Sequence, residues 1–416
     1  MASGGPRILR AWRAGLAARW RRRWRLTPRG RVVFGSLAAL LLVVAAALLD
    51  GSAGARPPAA GPPATPTRPG AHRPGRAPTP AAPSFTLVAS GDVLIHGPVA
   101  RQAAAYGRRS GQPYDFRPMF AAIRPIVSAA DLAFCHLEVP LSRDGRDLSS
   151  WPAFNAPPQV AAALRWAGYD ACSTASNHAL DQGPAGVAAT LDVMDRAGLR
   201  HAGTARSAAE AQASTIFDVR GHKVALLSFA YGLNGGPPPR DRPWLVKLID
   251  PDRIVADARA ARRAGAQFVV VLLHWGQEGR AAPTPLQQEL ARRLLAAPEI
   301  DLVLGHHVHV VQPIARVAGK WVAYGMGNSL SNQTPGCCAA GSQDGVLVRV
   351  TVAEDAGRLR VREVGYVPTW VEHPSFRVLA VPAALADRSL PAATRRALAA
   401  SQARTRRVVG PAVRPG

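Results

Sequence analysis

The sequence predicts an α/β domain, because short apolar runs rich in β-branched residues alternate with segments of helical periodicity. The predicted strands are Phe85–Ile95, Leu132–Leu137, Lys223–Tyr231, Phe268–His274, Leu302–Leu304 and Trp321–Met326. The predicted helices between them are Gln159–Ala167, Ala185–Ala197, Asp252–Ala264 and Leu286–Ala296. Two later runs, Val346–Val352 and Leu359–Val367, predict a hairpin that closes the domain.

Length and composition agree with a folded domain that carries unpacked appendages. The 416 residues are 48% hydrophobic and 19% charged, which excludes a wholly disordered chain, whereas 37 Pro and 38 Gly indicate a linker. The net charge of +24 would suggest a nucleic-acid partner in a soluble protein. Most of this charge lies near the two ends of the chain, however, so the central domain is nearly balanced and we expect no nucleic-acid partner.

The N-terminal segment predicts a single transmembrane helix. Residues 32–49 carry no charge and are just long enough to cross a hydrocarbon core as a helix. Residues 1–31 are rich in Arg, and this positive flank is expected to stay cytoplasmic, which places the domain outside the cell membrane. A cleaved signal peptide is the alternative, but its apolar core is usually shorter, so we favour an uncleaved anchor.

Two further appendages flank a predicted domain at residues 84–394. Residues 50–83 consist largely of Pro, Ala, Gly, Thr and Arg, a composition typical of an extended linker that holds a domain away from a membrane. Residues 395–416 contain six Arg and no acid, which predicts a solvated basic tail.

Metal-capable side chains lie at the ends of five predicted strands, one of which is a further short run at Asp170–Ala175. These motifs are Gly91-Asp92, His136-Leu137-Glu138, Ser176-Asn177-His178, His274-Trp275-Gly276 and Gly305-His306-His307-Val308-His309. Loops at the carboxyl ends of strands in open α/β sheets converge on one crevice, so we expect these side chains to meet there. Asp, Glu, Asn and His together suit a two-metal hydrolytic centre.

Each motif alone also has an ordinary structural explanation. Asp92 could cap a turn, Glu138 could form a surface ion pair, and Asn177-His178 could be turn residues. His307 and His309 are more distinctive, because alternation along an extended segment would place both rings on the same side. Trp275 is expected to form a wall of the site.

A longer set of motifs resembles the CapA family of capsule synthesis proteins, which is associated with poly-γ-glutamate and belongs to the calcineurin-like metallophosphoesterase superfamily. The resemblance runs from about residue 85 to residue 333 and rests on Gly91-Asp92, Leu137-Glu138, Asn177 to Gly183, His274 to Glu278, Gly305 to Pro313 and Tyr324 to Asn328. It implies a four-layer αββα metallophosphoesterase-like sandwich with two divalent ions, of which Mn, Fe and Zn are the candidates.

The resemblance also implies roles for individual residues. The positions that match metal ligands are Asp92, Glu138, Asn177, His274, His307 and His309. His178 matches a histidine that assists the leaving group and is therefore the predicted catalytic residue. The chain departs from the family pattern at His136, Ser176 and Ser329, where Asn, Asn and Phe are usual. His136 retains the ability to bind a metal, and the ligand set remains complete.

The four Cys residues bear on the environment of the domain. An extracytoplasmic location permits disulfides. Cys135 and Cys172 each precede a site motif and are expected to be small buried residues of adjacent strands. Cys337 and Cys338 lie in a Gly- and Pro-containing loop, and the sequence leaves their pairing open.

Two functions of different classes follow from these features. The first is a membrane-anchored metal-dependent hydrolase, phosphoesterase-like, that acts in capsule or poly-γ-glutamate synthesis. The second is a non-catalytic subunit that binds or assembles the polymer and keeps the metal site for structure. The expected partners are a cell-surface polymer such as poly-γ-glutamate, the membrane through the N-terminal helix, and a capsule synthetase complex.

Overall fold

Strands and helices alternate through residues 84–415, the part of the chain that the computed structural model describes. The strands are β1 (Ser84–Val93), β2 (Leu132–Leu137), β3 (Ala171–Ser173), β4 (Arg200–Ala202), β5 (Thr215–Val219), β6 (His222–Ala230), β7 (Phe268–His274), β8 (Leu302–His306), β9 (Ile314–Val317), β10 (Lys320–Ala323), β11 (Asn328–Leu330), β12 (Asp344–Asp355), β13 (Arg358–Val371), β14 (Val378–Ala380) and β15 (Arg414–Pro415). The helices are α1 (Gly97–Ser110), α2 (Arg117–Phe120), α3 (Arg124–Val127), α4 (Gln159–Ala167), α5 (Gly183–Arg196), α6 (Ala208–Gln212), α7 (Pro251–Arg263), α8 (Pro285–Ala296), α9 (Val381–Ala386) and α10 (Ala392–Val409).

The prediction of an α/β domain is confirmed. Helix α4 has the predicted bounds, and the predicted hairpin is the antiparallel pair β12–β13. Pro is found in the first turn of α5, α7 and α8, where its missing N–H has no partner to lose. The sequence analysis missed α1 and the short strands β4 and β5.

Two mixed sheets carry the strands. The first has the order β14-β13-β12-β1-β2-β3-β4, with β11 beside β1 and β15 beside β13. The second has the order β5-β6-β7-β8-β10-β9. Strands β1 to β4 are parallel to one another, as are β6, β7, β8 and β10, so each sheet has a set of carboxyl ends at one edge.

Apolar side chains divide these sheets and helices into layers. One core lies between the sheets and includes Leu87 of β1 and Val270 of β7. A second core packs the outer face of the first sheet against α1 to α5, and a third packs the outer face of the second sheet against α7 and α8. The central strands are thus covered on both faces, which explains why β7 reads as a continuous apolar run rather than an alternating one.

The C-terminal segment differs from the predicted solvated tail of residues 395–416. It forms α10, with Leu398, Ser401, Thr405 and Val409 buried. These positions recur at helical spacing, so one face packs on the sheets while the Arg-rich face meets solvent. The short strand β15 then pairs with β13.

The Cys residues pair in the structure. Cys135 and Cys172 lie opposite each other on the neighbouring strands β2 and β3, as predicted, and form a disulfide with a Cα–Cα distance of 4.4 Å. Both are fully buried, as predicted, and they form a cystine. Cys337 and Cys338 form a second disulfide, between adjacent residues of an exposed loop.

The predicted cytoplasmic segment, transmembrane helix and linker, residues 1–83, lie outside the described residues. Among residues 84–415, none of the helices combines the length and the apolar character that a membrane crossing requires.

The packing of α10 can be tested through its ion pair with β12. Arg404 donates to both carboxylate oxygens of Asp344 at 2.9 Å, and the Asp344 side chain is only 5% exposed. Arg404→Ala is expected to lower the free energy of unfolding by about 1–3 kcal/mol, because it leaves the buried carboxylate of Asp344 without its ion-pair partner. Denaturant unfolding measures this loss.

Arg407→Ala is the matched control, because Arg407 lies on the exposed face of the same helix. We expect it to change the free energy of unfolding by less than about 0.5 kcal/mol. Equal stability of the two variants would contradict the assignment of α10 to the packed domain.

Candidate metal centre

The predicted site residues meet at the carboxyl ends of the parallel strands of both sheets. Asp92 lies near the end of β1, and Glu138 directly follows β2. Asn177 follows β3, His274 ends β7, and His307 and His309 follow β8. All six are buried, with at most 5% of the residue surface exposed. The structure therefore brings together the whole set of predicted ligands.

Glu138 lies at the centre of the donor atoms. Two groups of side chains each place one ligand-capable atom per residue within 4.8 Å of the others, and both groups contain Glu138. The first group is His136, Glu138 and His274, and the second is Glu138, His307 and His309. The carboxylate of Glu138 is therefore available to both groups of donor atoms.

Unpartnered polar atoms indicate that the site is suited to a cation. Both carboxylate oxygens of Glu138 are buried without a hydrogen-bond partner, as are His274 Nδ1 and His307 Nδ1. Such atoms normally cost about 1–3 kcal/mol each, so several of them in one cluster call for an explanation. Carboxylate oxygen and imidazole nitrogen are ordinary ligands of divalent transition metals, and the residues present fit such ions.

Asp92 connects the two sheets across the site. His306 Nδ1 donates to its Oδ1 at 2.9 Å, and His309 Nδ1 and the His307 backbone N–H donate to its Oδ2 at 3.1 Å. Gly91 permits this position, because a Cβ there would lie 2.0 Å from the Gly327 carbonyl oxygen. That carbonyl accepts the Asp92 backbone N–H at 2.9 Å, so no larger residue fits before Asp92.

His307 and His309 converge for a different reason from the predicted one. Strand β8 ends at His306, and the two later His residues have positive φ values of 86° and 55°. The expected alternation on an extended segment is therefore wrong, and two left-handed residues turn the rings toward Glu138. Non-glycine residues in this region cost of order 1 kcal/mol or more and persist where surrounding contacts hold them, here the bonds to Asp92.

Burial and neighbouring charges shift the pKa values of His309 and His307 in opposite directions. Burial disfavours the charged form of His309, but the charge of Glu138 and the hydrogen bond to Asp92 outweigh burial and raise the pKa of His309 to about 10. Burial and the positive charge of His309 lower the pKa of His307 to about 3. Burial raises the pKa of Asp92, but its hydrogen bonds to His306 and His309 hold it below the usual range. Burial also raises the pKa of Glu138 well above its usual range, so the negative charge of the site is held at Asp92.

His178 lies beside the proposed ligands and is held by a carboxylate. Its Nδ1 donates to Asp181 Oδ2 at 2.7 Å, and the same oxygen accepts the Phe154 backbone N–H at 2.8 Å. The loop after β6 contributes Asn234, whose Oδ1 accepts from Asn177 Nδ2 at 3.2 Å. Asn177 Oδ1 is thereby directed toward His274 Nε2, 2.7 Å away.

Sequence reasoning missed several contributors. His306 is not among the predicted ligands, and its Nδ1 bonds the proposed ligand Asp92 directly. Tyr231 follows β6 and places its ring 4.5 Å from that of His307. Asn328 Oδ1 accepts from His309 Nδ1 at 3.1 Å. His306 and Asn328 could have been found from the sequence, because His and Asn side chains can bind metals. A single Tyr after a strand gives no comparable sign of a functional role.

Trp275 does not form a wall of the site. Its indole N–H donates to the Tyr324 carbonyl oxygen at 2.8 Å, and its ring belongs to the core between the second sheet and its helices. The residue after His274 points to the opposite face of the sheet, which is why it leaves the crevice.

A cavity of about 810 Å³ lies at the opposite end of the second sheet, where β7, β8 and β10 begin. Its charged groups have partners of their own, such as Asp301 with Arg262 at 2.5 Å. None of the metal-donor groups found in residues 84–415 lines it. The donor cluster is therefore the better candidate for the functional site.

Comparisons with known proteins match the region that contains the site. The family model described as "Bacterial capsule synthesis protein PGA_cap" matches residues 86–333. Capsule biosynthesis protein CapA of Bacillus anthracis is 25% identical over 257 residues, which are 60% of this chain and 60% of that protein. A probable polyglutamine synthesis accessory protein of Mycobacterium tuberculosis is 31% identical over 243 residues, covering 55% of this chain and 63% of that protein.

The match thus spans about three fifths of the length of these curated relatives. Among solved structures, calcineurin-like phosphoesterase YfkN from Bacillus subtilis aligns over 70% of this chain and 91% of that chain, with 15% identity and a TM-score of 0.38. A likeness at this level supports no conclusion about this chain.

Alanine variants separate the proposed ligands from their neighbour His178. His307→Ala and His309→Ala are each expected to weaken metal binding at least roughly tenfold, because each removes an imidazole from the group around Glu138. His178→Ala should retain wild-type metal content, because its Nδ1 is engaged with Asp181. Elemental analysis of the purified full-length chain measures all three.

Loss of metal in His178→Ala would make that residue a ligand. Wild-type protein that stays free of metal after purification without chelator would contradict the assignment of the whole centre.

Proposed function

Because the chain belongs to the bacterial capsule synthesis protein family PGA_cap, we propose that it is a metal-dependent hydrolase, phosphoesterase-like in its chemistry, that acts in the production of a cell-surface polymer. We propose poly-γ-glutamate as that polymer. The names of the curated relatives refer to capsule and polyglutamine synthesis, which supports this choice of polymer class.

The observation that carries the enzymatic proposal is the pair His178–Asp181. His178 follows the proposed ligand Asn177, lies next to the donor cluster and is only 7% exposed. A carboxylate at 2.7 Å orients its ring, as in acid–base pairs of hydrolases. A purely structural metal site has no need of an oriented acid beside it. In the proposed reaction, His178 donates a proton to the departing oxygen or nitrogen.

The proposed ligands distribute over two ions. Glu138 would bridge them, with His307 and His309 on one side and His274 and Asn177 on the other. Asp92, which draws together His306, His307 and His309, is the sixth proposed ligand. When bound, two divalent ions of the Mn, Fe or Zn type would supply charge stabilisation and an activated water for hydrolysis. The layered arrangement of sheets and helices, with donors at the carboxyl ends of strands, leads us to propose a metallophosphoesterase-like fold type.

The proposed location is the outer face of the cell membrane. The uncharged run at residues 32–49, with its Arg-rich flank, supports a single membrane span whose N-terminus is cytoplasmic. The Pro-rich residues 50–83 would then hold the domain away from the bilayer. A capsule synthetase complex is the proposed protein partner.

Replacement of the catalytic pair provides the test of hydrolysis. His178→Ala is expected to reduce turnover by roughly 10²–10⁴-fold with metal retained, the usual contribution of a positioned acid or base. Asp181→Asn should give a smaller loss, because the ring remains while its orienting charge is removed. The assay uses a panel of phosphoesters together with poly-γ-glutamate.

A matched control is His201→Ala, because His201 is bonded to Asp195 rather than to the donor cluster. We expect it to turn over substrate at the wild-type rate. Metal-loaded wild-type protein that hydrolyses neither phosphoesters nor poly-γ-glutamate, but binds the polymer, would instead identify a non-catalytic assembly subunit.

Topology is tested separately, on intact cells. Protease added outside should release a soluble fragment that begins within or after residues 50–83, because only the linker is unpacked by composition. Recovery of the whole chain in the cytosolic fraction would contradict the proposed anchor.

A further inference from the structure

We propose that His136 is a further metal ligand, which adds a second imidazole to the cation position of Glu138, His274 and Asn177 and makes it suited to a borderline ion such as Zn²⁺. This inference rests on the proposed metal centre. It concerns the identity of the ligands and the kind of ion, and it does not depend on the reaction.

The fold fixes the position of His136 firmly. His136 lies on β2, paired in register with Asp92 of β1 on one side and Ser173 of β3 on the other. The preceding residue, Cys135, is joined to Cys172 of β3 by a disulfide. His136 therefore lies between two parallel strands and next to a disulfide that joins β2 to β3, so its backbone has little freedom to move away from the donor cluster.

The hydrogen bonds of His136 leave one nitrogen directed at the donor cluster. The His136 ring makes a hydrogen bond to Ser173 Oγ, which lies 2.7 Å from Nδ1. With Nδ1 as the donor in this pair, the lone pair of the ring is on Nε2. Second partners of this kind fix the orientation of ligating imidazoles in metal sites.

Nε2 is the atom that needs a partner. It is buried without a hydrogen bond, and so are His274 Nδ1 and both carboxylate oxygens of Glu138. These three residues form the first donor group, with ligand atoms within 4.8 Å of one another. Two ligand atoms of a tetrahedral Zn²⁺ ion lie about 3.3 Å apart, so an inward movement of about 1–2 Å would close the group around an ion.

The neighbouring rings support the same assignment. The His136 ring lies between those of His274 and His306, with centroid distances of 4.8 and 4.3 Å. Three imidazole rings packed this closely are expected where they bind a common metal ion or hold one another in position to bind it. The group offers more nitrogen than oxygen, and imidazole favours Zn²⁺ over Mn²⁺, which prefers oxygen ligands.

The decisive experiment compares two ions on the full-length chain. Metal-stripped wild type and His136→Asn are titrated separately with Zn²⁺ and Mn²⁺ by equilibrium dialysis. Loss of an imidazole ligand is expected to weaken Zn²⁺ binding roughly 10–100-fold, and to weaken Mn²⁺ binding much less. The Co²⁺-substituted protein should show a changed visible absorption spectrum in the variant.

His222→Asn is the matched control, because His222 begins β6 and lines the cavity at the opposite end of the sheet. It should bind Zn²⁺ like the wild type. Ser173→Ala provides a milder variant in case His136→Asn fails to fold. It removes the group that holds the ring, and a several-fold loss in Zn²⁺ affinity is expected.

The outcomes are distinct. The inference would be overturned if folded His136→Asn kept the Zn²⁺ affinity and the Co²⁺ spectrum of the wild type. If only Ser173→Ala folds, the same result in that variant would overturn it. Either result would leave the metal centre intact, with a water molecule as the partner of His136 Nε2. An equal loss in His222→Asn would also overturn it. A wild-type chain that binds neither Zn²⁺ nor Mn²⁺ would overturn the metal centre itself, and with it the proposed function.

Discussion

The hydrogen bonds to the Asp92 carboxylate are the interaction on which the rest of the site depends. Asp92 belongs to the first sheet, whereas the groups that donate to it, His306, His309 and the His307 backbone, follow the second. Because Asp92 is fully buried, its charge has no solvent to stabilise it and must be met by these donors. The apolar core between the sheets brings them together, and this one carboxylate determines how their carboxyl ends meet.

The same bonds explain the local conformation after β8. His307 and His309 adopt left-handed backbone angles that an isolated chain would avoid, and their contacts to Asp92 hold them there. Gly91 is needed at this point because a Cβ there would meet the Gly327 carbonyl oxygen, and Gly327 is needed because a Cβ there would lie 2.4 Å from the Asp344 carbonyl oxygen. The small residues around the site are therefore requirements of its geometry.

Sequence reasoning could identify the strands and most of the site residues, because buried parallel strands are long apolar runs and each ends in a polar motif. It could not identify which side chains belong to which of the two donor groups. That His136 joins His274, and that His306 bonds Asp92, depends on the order of strands in the two sheets, which local patterns do not encode. The tail was misjudged for a related reason, since the apolar stripe of α10 is diluted by Arg residues whose solvent-facing side dominates the composition.

The order of the strands also has a consequence for synthesis of the chain. The second sheet is built from a contiguous stretch, β5 to β10, whereas the first combines β1 to β4 with β11 to β15. Strand β1 has its long antiparallel partner in β12, where Ser84 lies opposite Ala353. A ribosome makes β1 early and β12 late, so β1 has an open edge while more than half of the domain is being made. An open strand edge can pair with a wrong strand, so during that interval β1 is the part of the first sheet most exposed to mispairing.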